Sequence, residues 1–166
     1  TQLNDGTPIQ YGLVDYEVIP LYYEYSVPET NGYLYNGYAN NSNICPVGWH
    51  VPSTQEWENL FNHFSYSYEN INIIAEQNNW QAFISGTLGD KFVTTGTNNS
   101  YLSIEYSGRA VPNNAYDIGS KGWYWTSSTL FDGAENWSII FINFSDIELD
   151  RLTQGDNMNC IRCIKD

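Results

Sequence analysis

The sequence predicts an α+β fold, and three observations carry that reading. One capped amphipathic stretch at residues 53–64 gives a helix, whereas residues from 101 onward form short β-like runs divided by turn residues. Aromatics make up 16% of 166 residues, with 14 Tyr and 6 Trp, while helix formers such as Ala, Lys and Met are scarce. Helices first and sheet second is the order of an α+β chain. The length fits a single domain, residues 1–166, able to bury a sizeable core.

Taken in order, Asn4-Asp5-Gly6-Thr7-Pro8 reads as a turn, and residues 21–25 as a short aromatic strand closed by Pro28 and Asn31-Gly32. Residues 32–39 form a second aromatic segment that ends in the Asn-rich loop 40–43. Cys45-Pro46 and Gly48-Trp49 read as a turn leading into the helix. Ser53 and Glu56 form a capping box, in which each side chain satisfies a backbone donor at the helix start. Trp57, Leu60, Phe61 and Phe64 then fall at helical spacing on one face, opposite Glu56, Glu58, Asn59 and Asn62. Ile71, Ile74 and Ala75 suggest a second, shorter helix up to about residue 78, and residues 80–97, with Gly86, Gly89 and Gly96, read as an ordered loop.

Strands are expected at residues 101–106, 123–127, 137–144, 147–152 and 159–164, with turns at Ser107-Gly108, Asp132-Gly133 and Gly155-Asp156-Asn157. Their close spacing implies an antiparallel meander. Residues 138–144 are almost continuously apolar, as in a central strand covered on both faces.

A net charge of −13, with six scattered basic residues, repels a phosphate backbone and an anionic membrane surface. Nucleic acid is excluded, and no apolar run reaches the roughly 20 residues of a membrane helix. The start at Thr1 rather than Met points to a removed leader or a trimmed chain, so we expect an exported protein. Cys45, Cys160 and Cys163 allow one disulfide, with three possible pairings; three reduced cytosolic thiols are the alternative. Cys160 and Cys163 form a C-x-x-C in strand-like sequence, the wrong setting for a redox motif at a helix start. His50 and His63 stand at no zinc-ligand spacing from the cysteines.

Three blocks stand in order: Cys45-Pro46-Val47-Gly48-Trp49-His50-Val51-Pro52-Ser53 with Glu56-Trp57, Gly122-Trp123-Tyr124-Trp125-Thr126-Ser127-Ser128, and Ile161-Arg162-Cys163-Ile164-Lys165-Asp166. Together they resemble the Fibrobacter succinogenes major paralogous domain, with weaker matches at residues 4–9, 32–39 and 106–109. The resemblance implies a C-type-lectin-like fold, in which two helices flank a small twisted antiparallel sheet with long ordered loops. It implies an exported surface protein or lipoprotein, with any lipid anchor upstream, and no established activity. It also implies a Cys45–Cys163 disulfide, although Cys160 departs from the family pattern and competes for Cys45. The family's opening strand is missing before Thr1, so an exposed N-terminal edge is expected to self-associate or to accept a partner's strand.

Ligand contacts are expected from Tyr116, Asp117, Trp123, Tyr124, Trp125, Asp132 and Trp137, which could stack a sugar or meet a surface protein. The competing reading puts at least two of the three neighbouring aromatics 123–125 in the core. Trp49 and Trp57 are expected in the core as well. Asp132, Glu135, Asp146 and Asp156, with Glu148, Asp150, Asn136 and Asn157 nearby, are weak ligands for a structural Ca²⁺; no other cofactor is expected, and no EF-hand spacing is present. No catalytic residue is expected, since the histidines and nearby acids form no triad spacing. His50 is expected to pack or cap, and His63 to sit on the solvated flank. The Gly122 block is also similar to formylglycine-generating enzymes, whose cysteine pair Cys160 and Cys163 do not reproduce. The Asn-x-Ser matches at Asn40, Asn98, Asn136 and Asn143 are what an Asn- and Ser-rich chain contains by chance. The chain therefore reads as a secreted or surface binding module, with a subunit of an extracellular assembly as the alternative and a cysteine-dependent oxidase as the remote one.

Overall fold

A computed structural model describes residues 10–11, 21–24, 33–40, 43–64, 82–84, 91–92, 102–111, 114–130, 135–142, 146–153 and 157–166. Along the chain these residues form β1 (Gln10–Tyr11), β2 (Leu21–Glu24), β3 (Tyr33–Asn36), α1 (Gly37–Asn40), β4 (Trp49–His50), α2 (Thr54–Phe64), β5 (Ala82–Ile84), β6 (Arg109–Val111), β7 (Asn114–Tyr116), β8 (Lys121–Leu130), β9 (Glu135–Ile142), β10 (Asp146–Thr153), β11 (Met158–Asn159) and β12 (Ile164–Lys165). The class is α+β, dominated by antiparallel sheet.

The strands divide into a six-stranded sheet ordered β1-β2-β3-β11-β6-β7, a four-stranded sheet ordered β5-β10-β9-β8, and the pair β12-β4. β8, β9 and β10 form the expected meander, in register from Asp146 opposite Ile142 to Thr153 opposite Glu135. β9 is central, and Ser138, Ile139, Ile140 and Phe141 are all buried, so both of its faces are covered. Its apolar run needs no alternation for that reason.

Several expectations change. Strands precede the first helix, and β1 runs parallel to β2. Residues 102–106 contain only an isolated bridge at Ile104, whose N–H donates to the Phe92 carbonyl, rather than a strand. The span read as a loop at 80–97 holds β5, a three-residue strand that exists because β10 offers it an edge. Residues 159–164 split between β11 and β12 in different sheets. Residues 33–40 are a strand followed by the single turn α1, started by Asn36, whose side-chain oxygen accepts from the Ala39 N–H at 3.0 Å. The expected helix at 71–78 and the Asp132-Gly133 turn lie outside the described residues.

α2 begins as its sequence dictates. The Ser53 N–H donates to Glu56 Oε2 at 2.8 Å, and the Glu56 N–H donates to Ser53 Oγ at 3.3 Å, which completes the capping box. Trp57 and Phe61 enter the main core with Phe92, Ile104, Tyr124, Ile139, Phe141, Ile147 and Leu149. Phe141 is the hub, with ring centroids of Trp57, Phe61, Phe92 and Tyr124 at 5.9, 6.2, 6.1 and 5.9 Å. A smaller cluster of Leu34, Ala110 and Met158 belongs to the six-stranded sheet.

Cys45 and Cys163 form the disulfide across 118 residues of sequence, which leaves Cys160 as the free thiol. A covalent loop of that length restricts the unfolded chain strongly. Replacing Cys45 and Cys163 by serine should lower the unfolding free energy by about 4 kcal/mol, as read by urea melts monitored at the tryptophans. A loss below ~1 kcal/mol would show that β4 and the C-terminal segment are held by their other contacts instead.

Candidate functional site

Among the described residues, two turns carry four of the five exposed large apolar side chains, the fifth being Tyr33 on β3. The first is the Cys45–Trp49 turn. The Trp49 N–H donates to the Pro46 carbonyl at 2.9 Å, and Gly48 has φ +78°, the left-handed third position of a type II turn that favours glycine. The disulfide closes its base, β4 pairs with β12 beyond it, and the Asp166 N–H donates to the Gly48 carbonyl at 3.0 Å. This frame leaves Val47 85% exposed and Trp49 45% exposed. Trp49 was expected in the core. It is not there because β4 is two residues long and pairs only with β12, so no second layer covers its outer face.

The second is the 116–119 turn between β7 and β8, where the expected ligand residues Tyr116, Asp117 and Trp123 do come together. Trp123 Nε1 donates to Asp117 Oδ2 at 3.0 Å, and Arg109 lies over the indole with its guanidinium carbon 4.1 Å from the ring centroid. Arg109 Nε approaches Asp117 Oδ2 at 4.0 Å, and Lys121 Nζ stands 5.8 Å from the same ring. Asp117 adopts φ +63°, and the Ser120 and Lys121 N–H groups donate to its carbonyl. Gly108 is required beneath this turn, because a Cβ there would lie 2.3 Å from the Tyr116 carbonyl oxygen. The result is a fixed turn with Tyr116 45% and Ile118 43% exposed, while Trp123 is buried beneath Arg109.

Tyr124 and Trp125 are buried too. Tyr124 OH donates to the Glu105 carbonyl and accepts from the Glu105 N–H, and burial pushes its phenol far above the ordinary range. Trp125 Nε1 donates to the Tyr35 carbonyl at 2.7 Å. Their faces are filled by the protein, in line with the core reading of these aromatics. Asp132 lies outside the described residues, and of Trp137 only its place in β9 is described.

Of the calcium candidates, Asp146 alternates with Glu148 and Asp150 along one face of β10, opposite Ile147 and Leu149. Burial raises the Glu148 pKa, Lys121 opposes that rise, and Asp150 and Asp146 add to it. Asp156 lies outside the described residues, and Glu135 is placed only as the first residue of β9. Among the described residues no three His, Cys, Asp or Glu side chains converge in a way that could hold a metal ion.

Cys160 lies in a cleft of about 470 Å³ that Tyr33, Glu105, Ser107, Tyr124 and Arg162 also line. Its Sγ is 3.0 Å from Ser107 Oγ, and burial pushes the thiol up to about 11, with the Ser107 contact opposing that rise. A thiol so placed is protonated near neutral pH and is a poor nucleophile. Its C-x-x-C neighbour Cys163 is committed to Cys45. A second cleft, mostly apolar and of about 390 Å³, runs between α2 and the C-terminal segment past Pro52, Trp57, Leu60 and Ile164.

His50 is held between two carboxylates, with Nδ1 2.6 Å from Asp166 Oδ1 and Nε2 2.9 Å from Glu56 Oε1. Both ring nitrogens are engaged, so the ring latches the C-terminal strand to α2 and has no nitrogen left for general-base work. His63 is exposed on the helix flank.

The family model for the Fibrobacter succinogenes major domain matches residues 6–165, nearly the whole chain. No curated protein and no solved structure matches.

The His50 latch is testable by pH. Asp166 first, then Glu56, raises the His50 pKa from 6.5, so its stabilisation is complete below 6.5 and is lost as pH rises through the raised folded value. Burial pulls Glu56 upward, but hydrogen bonds from Ser53 and His50 outweigh it and lower its pKa from 4.5. The Glu56 contribution is therefore present above 4.5 and lost as pH falls through the lowered folded value. The urea midpoint of the wild type should exceed that of His50→Gln most between pH 4.5 and 6.5, with the gap closing on the alkaline side. Salt should shrink the gap, because the ring is well exposed. A gap that does not change with pH would rule out the charged latch.

Proposed function

This chain belongs to the Fibrobacter succinogenes major domain family, and on that premise we propose that it is an extracellular, non-enzymatic recognition module of lectin-like build. It engages a surface protein or a glycan and, in a larger assembly, serves as the recognition subunit. The observation that carries this reading is the 116–119 turn. Tyr116 and Ile118 are held outward by a stack of Arg109 on Trp123, with the indole N–H tied to Asp117. A solvated apolar pair that merely lacked cover would need no such underpinning, whereas a preorganised one lowers the ordering cost of binding. Tyrosine supplies large contact area with few rotatable bonds.

A disulfide and the lack, among described residues, of a helix able to cross a membrane are compatible with life outside the cell. The oxidase reading would need Cys160 and Cys163 as a working dithiol, and the Cys45–Cys163 bond takes one of the two. Asp132, Glu135, Asp146 and Asp156 are candidate calcium ligands by sequence, so chelation is included in the test.

Glycan arrays and immobilised bacterial surface proteins probed with the labelled domain, with and without EDTA, should identify at least one partner. The double variant Tyr116→Ala/Ile118→Ser should bind that partner at least tenfold more weakly at an unchanged melting temperature. Equal binding by wild type and variant would remove this turn from the recognition surface.

A further inference from the structure

We propose that the cleft beside the disulfide-stapled turn is a binding site for a neutral sugar unit, with the Trp49 indole as its stacking platform. The proposal rests on the reading of the chain as a recognition module and adds to it a second surface, separate from the 116–119 turn, with its own ligand class. The cleft encloses about 550 Å³ between the 43–51 segment and the end of β8. That volume falls in the range of small-molecule sites.

Trp49 is half-exposed, yet little about its backbone is free. Its N–H is bonded within the turn, its strand is paired with β12, and the Cys45–Cys163 bond anchors the turn below. The backbone that carries this half-exposed indole is fixed, and the indole offers a flat apolar face on which the C–H face of a pyranose packs. The rest of the lining selects by polarity. Asn40, Asn43 and Ser127 supply amide and hydroxyl groups, and among the described residues no Lys, Arg, Asp or Glu lines the cleft.

Among the described residues of the lining the one ionisable side chain is His50, and its two nitrogens are already taken by Asp166 and Glu56. An anionic or cationic ligand finds no unclaimed counter-charge there, and the net charge of −13 disfavours anions further. A neutral polyol meets no such penalty, since each of its hydroxyls both donates and accepts. Asn40 is 4% exposed, and its Nδ2 donates to the Thr126 carbonyl at 2.8 Å, which fixes the amide at the wall of the cleft.

Because no carboxylate lines the cleft among the described residues, the proposal places no bridging calcium ion there. The ~20 Å between Lys121 and Ser127 along β8 separates the site from the 116–119 turn.

The test titrates ¹⁵N-labelled protein in EDTA with cellotetraose, xylotetraose and mannotetraose, and with tetragalacturonate as the anionic control. At least one neutral tetramer should shift the Trp49 indole N–H resonance, and the uronate should not. Trp49→Ala should weaken binding at least tenfold, Trp49→Phe by less, and Tyr116→Ala not at all, each at a melting temperature close to wild type. The proposal is overturned if none of the neutral tetramers moves the Trp49 signal, if Trp49→Ala binds like wild type, or if binding requires calcium. Sugar binding that survives in Trp49→Ala but is lost in Tyr116→Ala would leave the recognition reading standing and refute this cleft as its site.

Discussion

The outer edge of β8 is where the molecule is joined. β8 is the last strand of its sheet, and its odd-numbered residues turn their backbone groups away from β9 toward other parts of the chain. The Lys121 carbonyl accepts from Gly108, the Trp123 carbonyl accepts from Cys160, the Trp125 N–H donates to Cys160, and the Ser127 N–H donates to Pro52. Ser128 then accepts from the Thr54 N–H at 3.0 Å, which satisfies an orphan donor at the start of α2. An edge that would otherwise be a template for aggregation is used up in fastening the helix, the six-stranded sheet and the C-terminal segment to one another.

The three sequence blocks acquire a common purpose from this. The Cys45 block supplies the turn, the helix start and Pro52. The Gly122 block supplies the strand, and the Ile161 block supplies Cys163 and Asp166, with Cys160 just ahead of it. Most of their polar groups are spent on each other, as in the His50 latch and the Ser128 contact. Residues so employed stabilise, and the proposed recognition surfaces are what they leave exposed: Val47 and Trp49 at one end of β8, Tyr116 and Ile118 at the other.

Electrostatics shape both ends. Two of the six basic residues of the chain, Arg109 and Lys121, gather around Trp123, which makes the 116–119 turn a less acidic spot on an acidic protein. The Trp49 cleft has no net charge of its own beyond a latched histidine. A binding surface that differs from its surroundings in charge discriminates among partners more than it adds to affinity.

The start of α2, its apolar face and the buried central strand were legible in the residues, because each depends on neighbours a few positions away or on a period set by the backbone. Tyr116, Asp117 and Trp123 were also marked, though as a bare platform rather than a locked turn. Trp49 was misplaced, β5 was missed and residues 102–106 were given a strand, and in each case the outcome turns on a partner far along the chain. A three-residue strand needs an edge to pair with, an aromatic run without one stays irregular, and a tryptophan is buried only if a second layer covers it. The cysteine count permitted three pairings, and the family resemblance favoured the one found; geometry joins Cys45 to Cys163 because β4 and β12 lie side by side. The sequence by itself determined composition, charge and local structure. Which side chains remain exposed was decided by contacts between residues as far apart in sequence as Tyr35 and Asn159, which only the folded chain brings together.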